Sequence, residues 1–274
     1  MTLEVVGLVK RFGGVQAVRN LSLTVRAGEC VALIGPNGAG KSTTFACIAG
    51  QEAPTAGTVL LNGVRIDPLP AAERLRRGVA RTFQVAQVFE ALNVLQNVQL
   101  LTQIPRGLAA LNDLNRCASE RAWMLLARVG LGDWAHTPAQ HLPYGAKKRL
   151  ELAMALAGLY DDMRGASRQR PTDTQLLLLD EPAAGLAAPE RQALMALVRE
   201  LTRTVPGRRG MAVLYTEHNM DAVFGVADRV LVLMDGMLVA DGSPDAVARD
   251  PQVRERYLGH GWDPQERLPG GCDA

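Results

Sequence analysis

The run Gly35-Pro36-Asn37-Gly38-Ala39-Gly40-Lys41-Ser42-Thr43 fits the pattern G-x-x-x-x-G-K-[ST] at every position, and no other segment limits the fold so tightly. Glycine carries no side chain, so successive backbone N–H groups can wrap phosphate oxygens. Lys41 supplies positive charge to β- and γ-phosphates, and Ser42 offers a hydroxyl to Mg2+. A helix starting near Lys41 turns the positive end of its dipole toward the anion. The flanks agree with this reading: the apolar run 30–34 precedes the motif as a strand, and residues 43–49 come after it with helical character. The segment is therefore read as a nucleoside triphosphate site on an α/β, P-loop fold.

A second segment supplies the other half. Leu176-Leu177-Leu178-Leu179 is an aliphatic run of strand length that ends in Asp180 and Glu181. Four consecutive leucines suit a parallel strand buried on both faces. The acids then stand at its carboxyl end, where ligands bind in open α/β sheets. Asp180 can hold Mg2+ directly or through water, and Glu181 is placed to polarise an attacking water as general base. A strand ending in a solvated acidic turn would read the same in isolation; the phosphate motif upstream decides between the two.

The rest of the chain is consistent with one such domain. Leu21, Leu23 and Val25 alternate with polar residues, a period of two, and Asn62-Gly63 marks a hairpin turn. From about residue 85 to 159 the spacing becomes helical, with stripes at Leu92, Leu95, Val98 and at Trp123, Leu126, Ala127. From Gln175 onward, apolar runs at 176–179, 211–216 and 229–234 alternate with helical stretches such as 189–203, which indicates a mostly parallel sheet flanked by helices. Residues 161–174 and 260–274 are polar and aperiodic, so a flexible loop and a flexible tail are expected there.

Composition narrows the class. With 274 residues, 47% hydrophobic and 21% charged, the chain can bury a core; disorder throughout, collagen and a disulfide scaffold are excluded. A net charge of +2 sets up no field for nucleic acid. Cys30, Cys47, Cys117 and Cys272 lack C-x-x-C spacing and read as reduced thiols. Nothing approaches the roughly 18 apolar residues of a membrane span. The N-terminus carries Glu4 and no basic leader, so no signal peptide is expected, and a membrane would be reached only through a partner. Lys10, Lys41, Lys147 and Lys148 are the only lysines among 30 basic residues, which singles out each of them.

Further motifs now carry a resemblance. Leu142-Pro143-Tyr144-Gly145 stands ahead of a helix and the leucine strand, Thr82-Phe83-Gln84 opens the helical region, His218 lies in Thr216-Glu217-His218-Asn219 after a buried strand, and Phe12 lies upstream. In order and spacing these resemble the signature, the Q-loop, the switch histidine and the adenine-stacking aromatic of ABC transporter ATP-binding subunits, over nearly the full length. Arg11-Phe12-Gly13-Gly14, Arg81-Thr82-Phe83-Gln84, Arg149-Leu150-Glu151, Glu181-Pro182-Ala183-Ala184-Gly185 and Arg256-Tyr257-Leu258-Gly259 are similar to the branched-chain amino acid uptake branch, the LivG type.

The resemblance implies an α/β P-loop core with an antiparallel β-subdomain and an inserted α-helical subdomain. Residues 1–259 would form one ATP-binding domain, with core 1–84 and 158–259, helical subdomain about 85–157 and tail 260–274. It implies catalytic roles for Glu181, His218 and Gln84. ATP contacts fall to Phe12, to residues 35–43 and, across a dimer, to Tyr144 and Gly145; Mg2+ ligands would be Ser42, Gln84 and Asp180. Implied partners are a second ATP-binding subunit, homologous or identical, two transmembrane permeases, and a periplasmic or surface substrate-binding protein acting through them. The implied place is the cytoplasmic face of the inner membrane, held peripherally, without nucleic acid. Three departures stand out: Pro143 where many relatives have serine, Ala187 where an acid or amide is usual, and a long spacer at 161–174. A motor for urea or amide uptake, and a degenerate subunit that binds nucleotide as a structural partner, are the competing expectations.

Overall fold

The computed structural model describes residues 2–103, 120–159, 175–203 and 210–259. The expected loop at 161–174 and tail at 260–274 lie outside the described residues, as do Cys117 and Cys272. The strands in chain order are β1 (Leu3–Phe12), β2 (Val15–Val25), β3 (Cys30–Ile34), β4 (Ala56–Leu61), β5 (Val64–Arg65), β6 (Val79–Arg81), β7 (Leu176–Asp180), β8 (Ala212–Thr216), β9 (Arg229–Met234) and β10 (Met237–Gly242). The helices are α1 (Lys41–Ala49), α2 (Ala71–Arg76), α3 (Val94–Gln103), α4 (Glu120–Arg128), α5 (Tyr144–Leu159), α6 (Ala188–Leu201), α7 (Met220–Phe224), α8 (Pro244–Arg249) and α9 (Pro251–Val253).

The strands form two sheets, the mostly parallel one that the patterning predicts and the antiparallel one that the resemblance implies. An antiparallel sheet has the order β2-β1-β4-β5, and Asn62 and Gly63 turn its β4–β5 hairpin with φ of 50° and 79°. The second sheet has the order β10-β9-β3-β8-β7-β6; all its neighbours run parallel except the edge strand β10. Every residue of β3, β7 and β8 is buried, which is why these strands read as unbroken apolar runs rather than alternating ones.

Alternation reappears in where the side chains go. Cys30, Ala32, Ile34, Leu177, Leu179, Val213 and Tyr215 pack on one face with residues of α3, α4, α5 and α6. Val31, Leu33, Leu176, Leu178, Ala212 and Leu214 pack on the other with α1 and the antiparallel sheet. The period of two thus divides one buried strand between two cores. Helices α3, α4 and α5 all fall between β6 and β7 in the chain.

One expected stripe is misplaced. The buried face of α4 is Ala122, Leu125 and Leu126, not Trp123, Leu126 and Ala127. Trp123 points outward and meets His136 edge-on, with ring centroids 5.8 Å apart. Both stripes satisfy helical spacing around Leu126; the large indole suggested the wrong one, although exposed aromatic surface is ordinary.

A buried guanidinium ties the helix after the glycine motif in place. Arg74 of α2 is 1% exposed, and its nitrogens donate to the carbonyls of Cys47 (2.6 Å), Ile48 (2.8 Å), Leu69 (2.9 Å) and Asp67 (2.8 Å). Cys47 and Ile48 belong to the last turn of α1, the negative end of its dipole. Burial pushes the Arg74 pKa down and nearby Asp67 opposes the shift. Arg74→Met removes the donors and leaves those carbonyls buried. We expect urea unfolding to report a loss of about 3 kcal/mol; a change below about 1 kcal/mol would show the network to be incidental.

Candidate functional site

The loop 35–43 emerges from the carboxyl end of β3 and feeds α1. Gly35, Gly38 and Gly40 have φ of 146°, 80° and 99°, values that side chains rarely adopt. Space is short as well. A Cβ on Gly35 would lie 1.9 Å from the Leu233 carbonyl oxygen, and one on Gly40 would lie 2.4 Å from that of Ala17. The turn between β9 and β10 supports the loop from behind, with Gly236 N–H donating to Ala39 O at 3.1 Å. Lys41 is buried, and its ammonium donates to the carbonyls of Gly35 (2.6 Å) and Pro36 (3.0 Å). Burial lowers its pKa, while Glu181 and Asp180 raise it. Ser42 is exposed and Thr43 partly so.

The two acids at the end of β7 have different surroundings. Asp180 is buried; one carboxylate oxygen accepts from Thr216 Oγ1 at 2.9 Å and the other from Arg81 Nη2 at 2.7 Å. Glu181 leaves the strand with φ of 47°, a left-handed conformation that costs a non-glycine residue of order 1 kcal/mol or more. Thr216 holds that turn: its Oγ1 and its carbonyl both accept from Glu181 N–H, at 3.0 and 3.1 Å. The turn swings the Glu181 carboxylate off the line of the strand and between two side chains. Gln84 Nε2 donates to Oε2 at 2.9 Å, and His218 Nε2 stands 2.8 Å from Oε1, within hydrogen-bond distance. Behind His218, the buried Glu217 carboxylate accepts from Ala183 N–H at 2.7 Å, and burial pushes its pKa up.

Lys41, Asp180, Glu181, Gln84 and His218 are therefore together at the carboxyl ends of the central strands. Tyr144 and Gly145, at the start of α5, border this group on the Gln84 side. The Tyr144 hydroxyl faces Gln84 O at 3.4 Å, and a Cβ on Gly145 would lie 2.7 Å from Glu190 Oε1. No hydrogen bond or ion pair joins either to residues 35–43 among the described residues. Glu190 also accepts from Ala187 N–H at 3.3 Å at the start of α6; alanine offers no oxygen in return. Phe12 is 46% exposed at the tip of the β1–β2 hairpin, with Lys10 Nζ 4.7 Å from its ring centroid. Lys10 is held there by Glu52 (2.8 Å) and Ala53 O (2.9 Å).

The residues fit a magnesium nucleotide. The cradle has amide-bearing glycines and a buried cation turned onto its own carbonyls, so phosphate oxygens would find donors. Ser42, Asp180 and Gln84 offer hard oxygens of the kind Mg2+ takes. Among the described residues no group of three His, Cys, Asp or Glu could hold a metal by itself. A magnesium ion here would need phosphate oxygens as ligands, its usual arrangement.

The sequence assigned no role to Arg81, Thr216, Glu217, Lys148 or Glu151. Lys148 carried a signal as one of four lysines in an arginine-rich chain, and the other four stood inside quoted motifs without a role of their own.

The ABC transporter family model matches residues 18–161, and a model described as branched-chain amino acid ATP-binding cassette transporter matches residues 238–263. The high-affinity branched-chain amino acid transport ATP-binding protein LivG of Escherichia coli K12 is 38% identical over 266 residues, covering 94% of this chain and 97% of LivG. BraF of Pseudomonas aeruginosa, described in the same words, is 36% identical with the same coverage. Among solved structures, a nucleotide-free ATP-binding cassette from an ABC transporter superposes with a TM-score of 0.77 at 27% identity, covering 94% of this chain and 99% of that one. An ATP-binding cassette in its ADP conformation gives 0.76 at 28% identity, covering 94% and 98%.

Thr216 generates a prediction here. Thr216→Val removes the hydroxyl shared by Asp180 and Glu181. Stability should fall by about 1–3 kcal/mol in denaturant titration, with Thr216→Ser near the natural chain. Equal loss in both variants would show that the hydroxyl is not what matters.

Proposed function

From the premise that this chain belongs to the ABC transporter ATP-binding family, and is the ATP-hydrolysing motor subunit of an importer, we propose that it powers uptake of branched-chain amino acids and hydrolyses ATP at a composite site. The observation that carries this reading is the Glu181 carboxylate, poised between Gln84 and His218 at the mouth of the glycine cradle.

In this reading residues 35–43 wrap the phosphates and Lys41 leaves its loop carbonyls for the β- and γ-oxygens. Phe12 stacks on adenine, with Lys10 fixing its ring. Ser42, Asp180 and Gln84 are the residues that would hold Mg2+, which supplies charge neutralisation at the β- and γ-phosphates when bound. Glu181 takes a proton from the attacking water, and its contacts to Gln84 and His218 give way as water enters. His218 then faces the γ-phosphate. Tyr144 and Gly145 serve the nucleotide of the partner subunit, through the amides at the start of α5. Among the described residues neither is hydrogen-bonded or ion-paired to residues 35–43 of its own chain, which leaves both free to serve a shared site.

Partners come with the same reading: a second ATP-binding subunit, identical or homologous, two permeases, and a substrate-binding protein beyond them. The exposed apolar side chains of Val85 and Phe89, just after Gln84, suit a cytoplasmic permease helix. Among the described residues no helix is long and apolar enough to cross a membrane, in keeping with peripheral attachment. The likeness to LivG and BraF, together with the match at 238–263, favours branched-chain amino acids over urea or amides as cargo.

Reconstitution with its permeases and binding protein tests the cargo: leucine uptake should depend on ATP, and uptake of urea in its place would overturn that part. For the chemistry, Glu181→Gln should bind ATP normally and lose turnover by about 10²–10⁴-fold. Natural turnover in that variant would remove Glu181 as base. Lys41→Ala should lose ADP binding in calorimetry, since it deletes the cation of the cradle.

A further inference from the structure

Thr82 N–H, just past β6, still donates to Leu178 O at 2.9 Å, but from there to α3 the segment 83–87 has no ladder or helix to hold its backbone. Side chains of α5 do so instead, two of them besides the Tyr144 hydroxyl that donates to Gln84 O at 3.4 Å. Glu151 Oε1 accepts from Phe83 N–H at 3.0 Å and from Gln87 N–H at 3.2 Å. Lys148 Nζ donates to Phe83 O at 2.9 Å and to Gln84 O at 2.6 Å. The chemistry is complementary: a carboxylate takes the amides and an ammonium takes the carbonyls. The residues are three apart, hence neighbours on one face of α5. Both are ionisable and deeply buried, 3% and 5% exposed, and among the described residues neither has an ion-pair partner within 4.0 Å. Burying two such groups is costly, and the backbone of 83–87 supplies their hydrogen bonds. The side chain of the residue so held, Gln84, reaches Glu181 Oε2 at 2.9 Å.

We propose that Lys148 and Glu151 are positioning residues for hydrolysis: they fasten the Gln84 segment to the first turns of α5, so that the start of α5, rather than β6, sets where the Gln84 amide stands relative to Glu181. The proposal rests on the assignment of Glu181 as base. Its structural half, the fastening, stands or falls separately.

Amide hydrogen exchange on the full chain reads the fastening directly. Glu151→Ala should speed exchange at Phe83 and Gln87 by about tenfold or more, with residues 35–43 unchanged. Glu151→Gln keeps an acceptor oxygen and should restore protection, which also controls for loss of fold. In the assembled transporter, Glu151→Ala and Lys148→Met should lower kcat about tenfold while the Kd for ADP stays within about twofold. Gln84→Ala should lower kcat similarly without changing protection at 83 and 87, and adding Glu151→Ala to it should cost little more, because both act through one side chain. Unchanged exchange in Glu151→Ala would overturn the proposal, and so would additive losses in the double variant. A natural transporter without any ATP turnover would instead sink the parent reading, while the exchange result would still decide the fastening.

Discussion

The register of three parallel strands governs this molecule. Leu33 of β3 pairs with Thr216 of β8, and Thr216 pairs with Asp180 of β7. The three strands therefore end within one residue of one another, and their exits leave the same edge of the sheet. The glycine cradle continues from β3, Glu181 from β7, and Glu217-His218 from β8. Residues more than 170 positions apart in the chain meet because backbone hydrogen bonds hold three apolar runs side by side. A slip of one residue in β7 would send each leucine to the opposite core and withdraw the acids from the crevice.

That crevice gathers charge of both signs. Asp180, Glu181 and Glu217 share it with Lys41, Arg81 and Lys148, and the groups relieve one another by different routes. Asp180 has a direct ion pair with Arg81. Lys41 and Lys148 bond to carbonyls, Glu151 to amides. Burial pushes Glu151 up to about 7 and Lys148 down, so desolvation works against the charged form of each while hydrogen bonds to the 83–87 backbone favour it. Electrostatic strain of this sort collects where a chain must later receive a polyanion and a cation together.

The sequence was most informative where one physical demand fixes residue type and spacing at once. The cradle is such a case: glycine conformations and a lone lysine leave few other readings. The leucine strand is another, because double burial and terminal acids coincide. Legibility failed where a contact joins distant positions without a local rule. Arg74 reaches α1 across more than 25 residues to satisfy carbonyls, Arg81 reaches Asp180 across 99, and Glu151 reaches Phe83 across 68. Backbone groups accept any suitable partner, so nothing near Phe83 announces Glu151. The α4 stripe failed for a different reason: two faces fit one helical period, and residue size is a poor judge between them.

The glycines of the cradle are required for unlike reasons. Gly35 and Gly40 press against carbonyls of the surrounding wall, whereas Gly38 has a positive φ but open space within 4 Å of where a Cβ would sit. Asparagine tolerates positive φ better than most residues do. Within a single motif, evolution thus has latitude at the middle position and none at the outer two, where the limit is set by the enclosing scaffold as much as by any guest.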